Sequence, residues 1–166
     1  MCKYNKRMIV LVGNVATGKS TYAKTIIPKG YICMSRDAIR YMIGAGKYIF
    51  NTTLEPDIFA SEVAILNQFM PSGINIVVDE VGMSPRLRKR YLDLAEQYHY
   101  KVEAHIMPKT TLEEAIKRKM NGSGCNHGNY QAKTWEVIWH KFDQAYIRPT
   151  KGEGFNKIVD VKKEDI

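Results

Sequence analysis

Five short runs rich in apolar and β-branched residues recur along the chain: "MIVLV" at 8–12, "YICM" at 31–34, "INIVVD" at 74–79, "KVEAHIM" at 101–107 and "NKIVDV" at 156–161. Between them apolar positions return every three or four residues, over 19–27, 36–44, 55–70, 85–98, 111–120 and 132–146. Short β-branched runs alternating with helical periods predict an α/β protein with a mainly parallel sheet of about five strands and helices on both faces. Two helices announce their starts. Ser84 followed by Pro85 reads as an N-cap and first helical position, and Thr111 with Glu114 reads as a capping box. No repeat, linker or low-complexity tract divides the chain, which is expected to form one domain over 1–166. The Gly- and Asn-rich stretch "NGSGCNHGNYQ" at 121–131 follows neither period and is expected as a mobile loop.

Composition adds exclusions. The chain is 45% hydrophobic and 25% charged, an ordinary globular balance, and no apolar stretch nears the ~20 residues a membrane span needs. The basic start "MCKYNKRMIVLVG" has an apolar run too short for a signal peptide, so a cytoplasmic location is expected and the sequon at 51–53 goes unused. Cys2, Cys33 and Cys125 make an odd number without a CxxC pair, which speaks against a disulfide framework and a zinc site. The net charge of +8 is uneven: residues 1–50 hold nine Lys/Arg against the single acid Asp37, whereas 51–166 hold sixteen of each sign. Clustered cations suit a polyanionic partner, and a merely basic surface explains them as well.

After the first run comes "GNVATGKS", which satisfies G-x-x-x-x-G-K-[ST] between a predicted strand and a predicted helix. Such a P-loop surrounds phosphate oxygens with successive backbone N–H groups and a helix N-terminus. Gly13, Asn14, Val15, Ala16, Thr17, Gly18, Lys19, Ser20 and Thr21 are thus the expected nucleotide-binding residues, for ATP with Mg²⁺. Lys19 would reach the β- and γ-phosphates, and the Ser20 hydroxyl would ligate the metal. Asp79, at the end of the third apolar run, would face that metal, with Glu80 in reserve; the plainer reading of Asp79 is a strand stop.

The stretch "SRDAIR", 35–40, follows the second apolar run and starts its helix at the edge of the sheet where the P-loop lies. With Ser35 as N-cap, Asp37 and Arg40 fall three apart on one face. A carboxylate there can take the proton of an acceptor hydroxyl, and an arginine one turn on can hold a phosphate. A solvated helix start accounts for the same charges.

The motifs "GNVATGKST" (13–21), "SRDAIR" (35–40), "VVDEVGMSPRLRKRYLDLAEQYHYKVE" (77–103), "EEAIKRK" (113–119) and "RPTKGEGFNKI" (148–158) together resemble the P-loop 5′-hydroxyl polynucleotide kinases, especially the phage-type enzymes. The resemblance implies a three-layer P-loop kinase fold with a lid at about 117–131. It implies an ATP-dependent transfer of phosphate to 5′-hydroxyl ends of DNA or RNA, with no obligate protein partner. Asp37 matches the family's general base and Arg40 its ligand for the adjacent 3′-phosphate. Asp79 matches the active-site strand-end aspartate, Arg36 adjoins the acceptor, and Arg118 falls on the lid helix between Lys117 and Lys119. Glu80-Val81-Gly82 stands where family members often carry Thr-Asn, and the second lid arginine would fall near Gly122. The 166 residues correspond to the kinase half of those members that also carry a phosphatase domain.

Other features read more plainly. Arg86, Arg88, Lys89 and Arg90 are expected on a solvated helix whose Leu87, Tyr91, Leu94 and Ala95 face the core, with nucleic-acid contact as the alternative. Trp135 and Trp139 read as packing, although one aromatic ring near the lid could stack on adenine. Tyr48 and Phe50 could line an acceptor groove or pack. His127 lies in the expected lid, and His99, His105 and His140 fit no ligand spacing. Two other functions remain compatible with the chain. One is a kinase of a small hydroxyl acceptor such as a nucleoside, sugar or peptidoglycan precursor, including zeta-toxin-like enzymes. The other is a nucleotide-dependent binding switch.

Overall fold

The computed structural model describes residues 6–121 and 130–166. Strands β1 (Arg7–Val12), β2 (Tyr31–Met34), β3 (Asn75–Val78), β4 (Lys101–Ile106) and β5 (Lys157–Asp160) form one parallel sheet in the order β2-β3-β1-β4-β5. Helices α1 (Lys19–Ile26), α2 (Arg36–Ile43), α3 (Glu55–Phe69), α4 (Pro85–Gln97), α5 (Leu112–Met120) and α6 (Ala132–Gln144) provide the crossovers and cover. All eleven elements fall within about two residues of the expected bounds, the scatter normal for helix and strand ends.

β1 explains the arrangement. Met8 to Val12 are all buried, because a parallel strand in mid-sheet must have helices on both faces. Met8, Val10 and Val12 pack with Leu66 of α3 and Tyr91 and Ala95 of α4, while Ile9 and Leu11 meet Ala23 and Ile26 of α1. The register pairs Val10 with Val78 and Val12 with Ile106, so β1 and β4 end together and β3 ends two residues earlier on the same edge. The sheet order reverses beside β1, which opens a crevice at the carboxyl edge between the β3 and β4 sides. No helix among the described residues is long and apolar enough to cross a membrane.

The start signals hold in part. Ser84 caps α4 by accepting from the Leu87 N–H, with Pro85 in the first position. Thr111 Oγ1 accepts from the Glu114 N–H, but the Glu114 carboxylate reaches Arg118 rather than closing the box on the N-cap N–H.

Arg88 departs from the solvated position expected for it. It is fully buried: Nε and Nη2 grip Glu153 at 2.9 and 2.8 Å, and Nη1 donates to the carbonyls of Gly82 and Ile147. Its charge is tolerated because four donor contacts replace water. The clamp fixes Gly82, whose φ of +58° and closeness to the Leu11 carbonyl leave no room for a side chain: an added Cβ would lie 2.5 Å from that oxygen. Lys89, by contrast, stays exposed in an i,i+4 pair with Asp93.

Arg88→Ala should cost about 3–5 kcal/mol, because it strands Glu153 in a partly buried position. In urea unfolding, a loss no larger than that of exposed Lys89→Ala would refute the clamp.

Candidate active site

The P-loop is held in part by its own side chains. Thr17 Oγ1 donates to the Asn14 carbonyl at 2.9 Å, Asn14 Oδ1 accepts from the Val15 N–H, and Asn14 Nδ2 donates to the Trp139 carbonyl. The Gly13 N–H donates to the Val81 carbonyl at 3.0 Å, tying the loop to the chain after β3. A Cβ on Gly13 would lie 2.7 Å from Thr17 Oγ1 and 2.8 Å from Met107 Cβ, so only glycine fits. Lys19 folds back and donates to the Gly13 and Asn14 carbonyls at 3.0 and 2.7 Å. Burial pushes the Lys19 ammonium down to about 8; Asp79 partly opposes this, and Lys119 pushes the same way.

Asp79 lies where β3 ends, its N–H donating to the Met34 carbonyl of β2 at 2.8 Å. Burial holds the Asp79 pKa up, while the Ser20 hydroxyl and the Lys19 charge pull it down. A hydroxyl and a carboxylate side by side are hard oxygen donors that fit Mg²⁺, an ion that takes one or two protein oxygens and completes its shell with water and phosphate. Among the described residues no group of three or more His, Cys, Asp and Glu is arranged to hold a metal alone.

Helix α2 brings the second half of the site. Ser35 is its N-cap residue, yet its side chain makes no cap bond. Glu80 does that instead: Oε1 accepts from the Arg36 N–H at 2.7 Å and Oε2 pairs with Arg36 Nη2 at 2.5 Å. Glu80 is therefore a bracket between the ends of β3 and α2. Asp37 Oδ1 accepts from Arg40 Nη1 at 2.6 Å and from the Tyr48 hydroxyl at 3.0 Å, and the Asp37 side chain is 45% exposed. Burial and the neighbouring Asp37 push the Tyr48 pKa far up, so it acts as a donor. Arg40 is buried, with Nε and Nη2 on Glu55 at 3.0 and 2.5 Å. Three of its five N–H groups are thus taken by protein carboxylates.

Residues 15–21, Arg36, Asp37, Arg40, Asp79 and Arg118 border one cavity of about 1360 Å³. Gly13 and Asn14 shape the loop from behind. Arg118 Nη1 donates to the Ala16 carbonyl at 2.9 Å, and Lys119 sits 4.4 Å from the ring centroid of Trp135, both on the wall formed by α5 and α6. Trp135 lines the cavity, and the Trp139 carbonyl accepts from Asn14 Nδ2. Phe50 lines the cavity with half its surface exposed. Residues 122–129 of the expected lid, with Gly122 and His127, lie outside the described residues. His99 adopts a positive φ in a turn, His105 bonds to the Tyr22 hydroxyl, and His140 packs edge-on to Trp139.

Sequence reasoning gave no role to Glu62. This fully buried α3 residue accepts from the Tyr91 hydroxyl at 2.9 Å, and its Oε2 stands 3.7 Å from Arg36 Nε. Burial, reinforced by Glu80, pushes its carboxyl up to about 7, against the pull of Arg36. The one available signal was a glutamate on the apolar stripe of a predicted helix.

Residues 8–144 match the model of the AAA domain family. A protein of Acanthamoeba polyphaga mimivirus named as a bifunctional polynucleotide phosphatase/kinase is 25% identical over 158 residues, 94% of this chain. The chain spans 33% of that relative's length. A chain of the Pnkp1/Rnl/Hen1 RNA repair complex superposes with a TM-score of 0.67 at 16% identity, covering 86% of this chain and 45% of that one. Shikimate kinase of Acinetobacter baumannii does so with a TM-score of 0.57 at 15% identity, covering 96% and 86%. These superpositions show a shared P-loop kinase fold.

Glu62 binds its proton more tightly in the folded chain than at its usual value of 4.5, so the stability it contributes is complete below about pH 4.5 and is lost as pH rises through about 7. Glu62→Gln should therefore flatten the fall in melting temperature between pH 5 and 8, by an amount equivalent to about 2–3 kcal/mol. Parallel wild-type and variant curves across that range would show that Glu62 does not titrate there.

Proposed function

The chain belongs to the AAA domain family, and from that premise we propose that it is an ATP-dependent 5′-hydroxyl polynucleotide kinase. The observation that carries this reading is Asp37: a half-exposed carboxylate, steadied by Arg40 and Tyr48, on the cavity that the P-loop borders. A nucleotide switch has no use for a base aimed at an acceptor. The mimivirus relative supports a polynucleotide as the acceptor.

The chemistry follows from placement. The triphosphate lies along residues 13–21, and Lys19 exchanges its bonds to the Gly13 and Asn14 carbonyls for phosphate oxygens. Ser20 and Asp79 would hold Mg²⁺, which would supply charge neutralisation on those oxygens. Asp37 accepts the proton of the 5′-hydroxyl as its oxygen bonds to the γ-phosphorus, and the bond to the β–γ bridging oxygen breaks, releasing ADP. Arg118 and Lys119 border the donor side and stabilise charge on the transferred group.

A small-acceptor kinase is the second reading, favoured by a specific observation. Arg36 and Arg40, two of the nine cations in the first fifty residues, are spent on Glu80, Glu55 and Asp37. Less of the basic excess therefore remains for a polyanion.

Incubation with labelled ATP, Mg²⁺ and 5′-hydroxyl DNA and RNA oligonucleotides, beside a panel of nucleosides and small alcohols, separates these readings. Label is expected on oligonucleotide 5′ ends; label on small acceptors alone would sink the polynucleotide assignment. Asp37→Ala should lower transfer by about 10²–10⁴-fold with nucleotide binding near normal. Lys19→Ala should damage both.

A further inference from the structure

On the cavity that α2 also lines, helix α4 presents an arginine that the mechanism above does not use. Arg90 lines the cavity and is half buried. Its guanidinium lies 4.8 Å from the ring centroid of Phe59 and 5.6 Å from that of Tyr91, and Nε donates to the Leu87 carbonyl at 3.1 Å. Two aromatic rings and a carbonyl thus fix the plane and the stem. Among the described residues, neither Nη nitrogen has a hydrogen-bond partner, no carboxylate forms an ion pair with Arg90, and neither nitrogen is among the enclosed orphan atoms. The result is an oriented guanidinium whose terminal fork is open, the form in which arginine takes a phosphate with two parallel bonds.

Arg40 presents the opposite case. Three of its nitrogens already donate to Glu55 and Asp37. One guanidinium faces two carboxylates, so a phosphate brought there would meet net negative charge and find only two of the five N–H groups open.

We propose that Arg90 binds a phosphate of the acceptor strand and that Arg40 acts on the acceptor only by positioning Asp37; this rests on the polynucleotide reading above. The acceptor then lies across the groove, its 5′-hydroxyl at Asp37 on α2 and a backbone phosphate at α4. Arg90 sets the preference for phosphorylated acceptors, whereas Arg40 holds the base in place.

The test compares a 5′-hydroxyl nucleoside 3′-phosphate with the matching 3′-hydroxyl nucleoside as acceptors, reading kcat and KM for each. Arg90→Ala should reduce the ratio of kcat/KM for the phosphorylated over the unphosphorylated acceptor by about tenfold or more, through KM. Arg90→Lys, which keeps the charge and stem, should recover part of that ratio. Arg40→Ala should lower kcat for both acceptors and leave the ratio within about twofold. If Arg90→Ala and Arg90→Lys leave the ratio unchanged, or if Arg40→Ala is the variant that collapses it, the assignment of Arg90 is wrong while the function stands. If the wild-type protein labels neither of these acceptors nor any oligonucleotide, the proposed function fails and this inference fails with it.

Discussion

Parallel pairing is the constraint on which the rest of the molecule depends. Strands that all run one way finish on one edge, and the order β2-β3-β1-β4-β5 sets the ends of β1, β2 and β3 side by side there. The loop after β1, the Asp79 carboxylate after β3 and the first turn of α2 after β2 meet because the backbone gives them nowhere else to go. Burial of β1 on both faces makes this geometry rigid: a shift of one residue would move Met8, Val10 and Val12 into the opposite layer.

On that edge, charge is arranged in pairs that divide labour. Glu80 caps α2 and holds Arg36; Glu55 holds Arg40; Arg40 and Tyr48 hold Asp37. Each ionised group meets its opposite within hydrogen-bonding distance, which makes its burial tolerable. Lys19 and Asp79, like Arg90 on the same cavity, are exceptions. Burial disfavours the charge on both, each partly relieves the other, and both stand beside the loop where phosphate and metal would supply the missing charge.

The fold was legible because its signals are local. Strand and helix periods, the glycine-lysine loop and the Ser84-Pro85 start are each contained within about a dozen residues. The candidate site was legible where the motifs follow the chain, in that Lys19, Ser20, Asp37 and Asp79 border one cavity. It was not legible where the partner is remote. Glu80 lies 44 residues from Arg36, Glu153 lies 65 from Arg88, and nothing near Arg40 announces that Glu55 pairs with it. Arg88 still offered one sign: it shares the i, i+3, i+7 stripe with Tyr91 and Ala95, the face that the core claims.

The Arg88 clamp also bears on the order in which the molecule comes together. It closes a span of 65 residues that contains β4, α5 and α6, and loop closure of that length is entropically costly until the intervening elements have docked. During synthesis the phosphate loop emerges early, while Glu153, which steadies the neighbouring Gly82 turn through Arg88, emerges close to the last strand. A nascent chain thus carries a complete binding motif without its supporting wall.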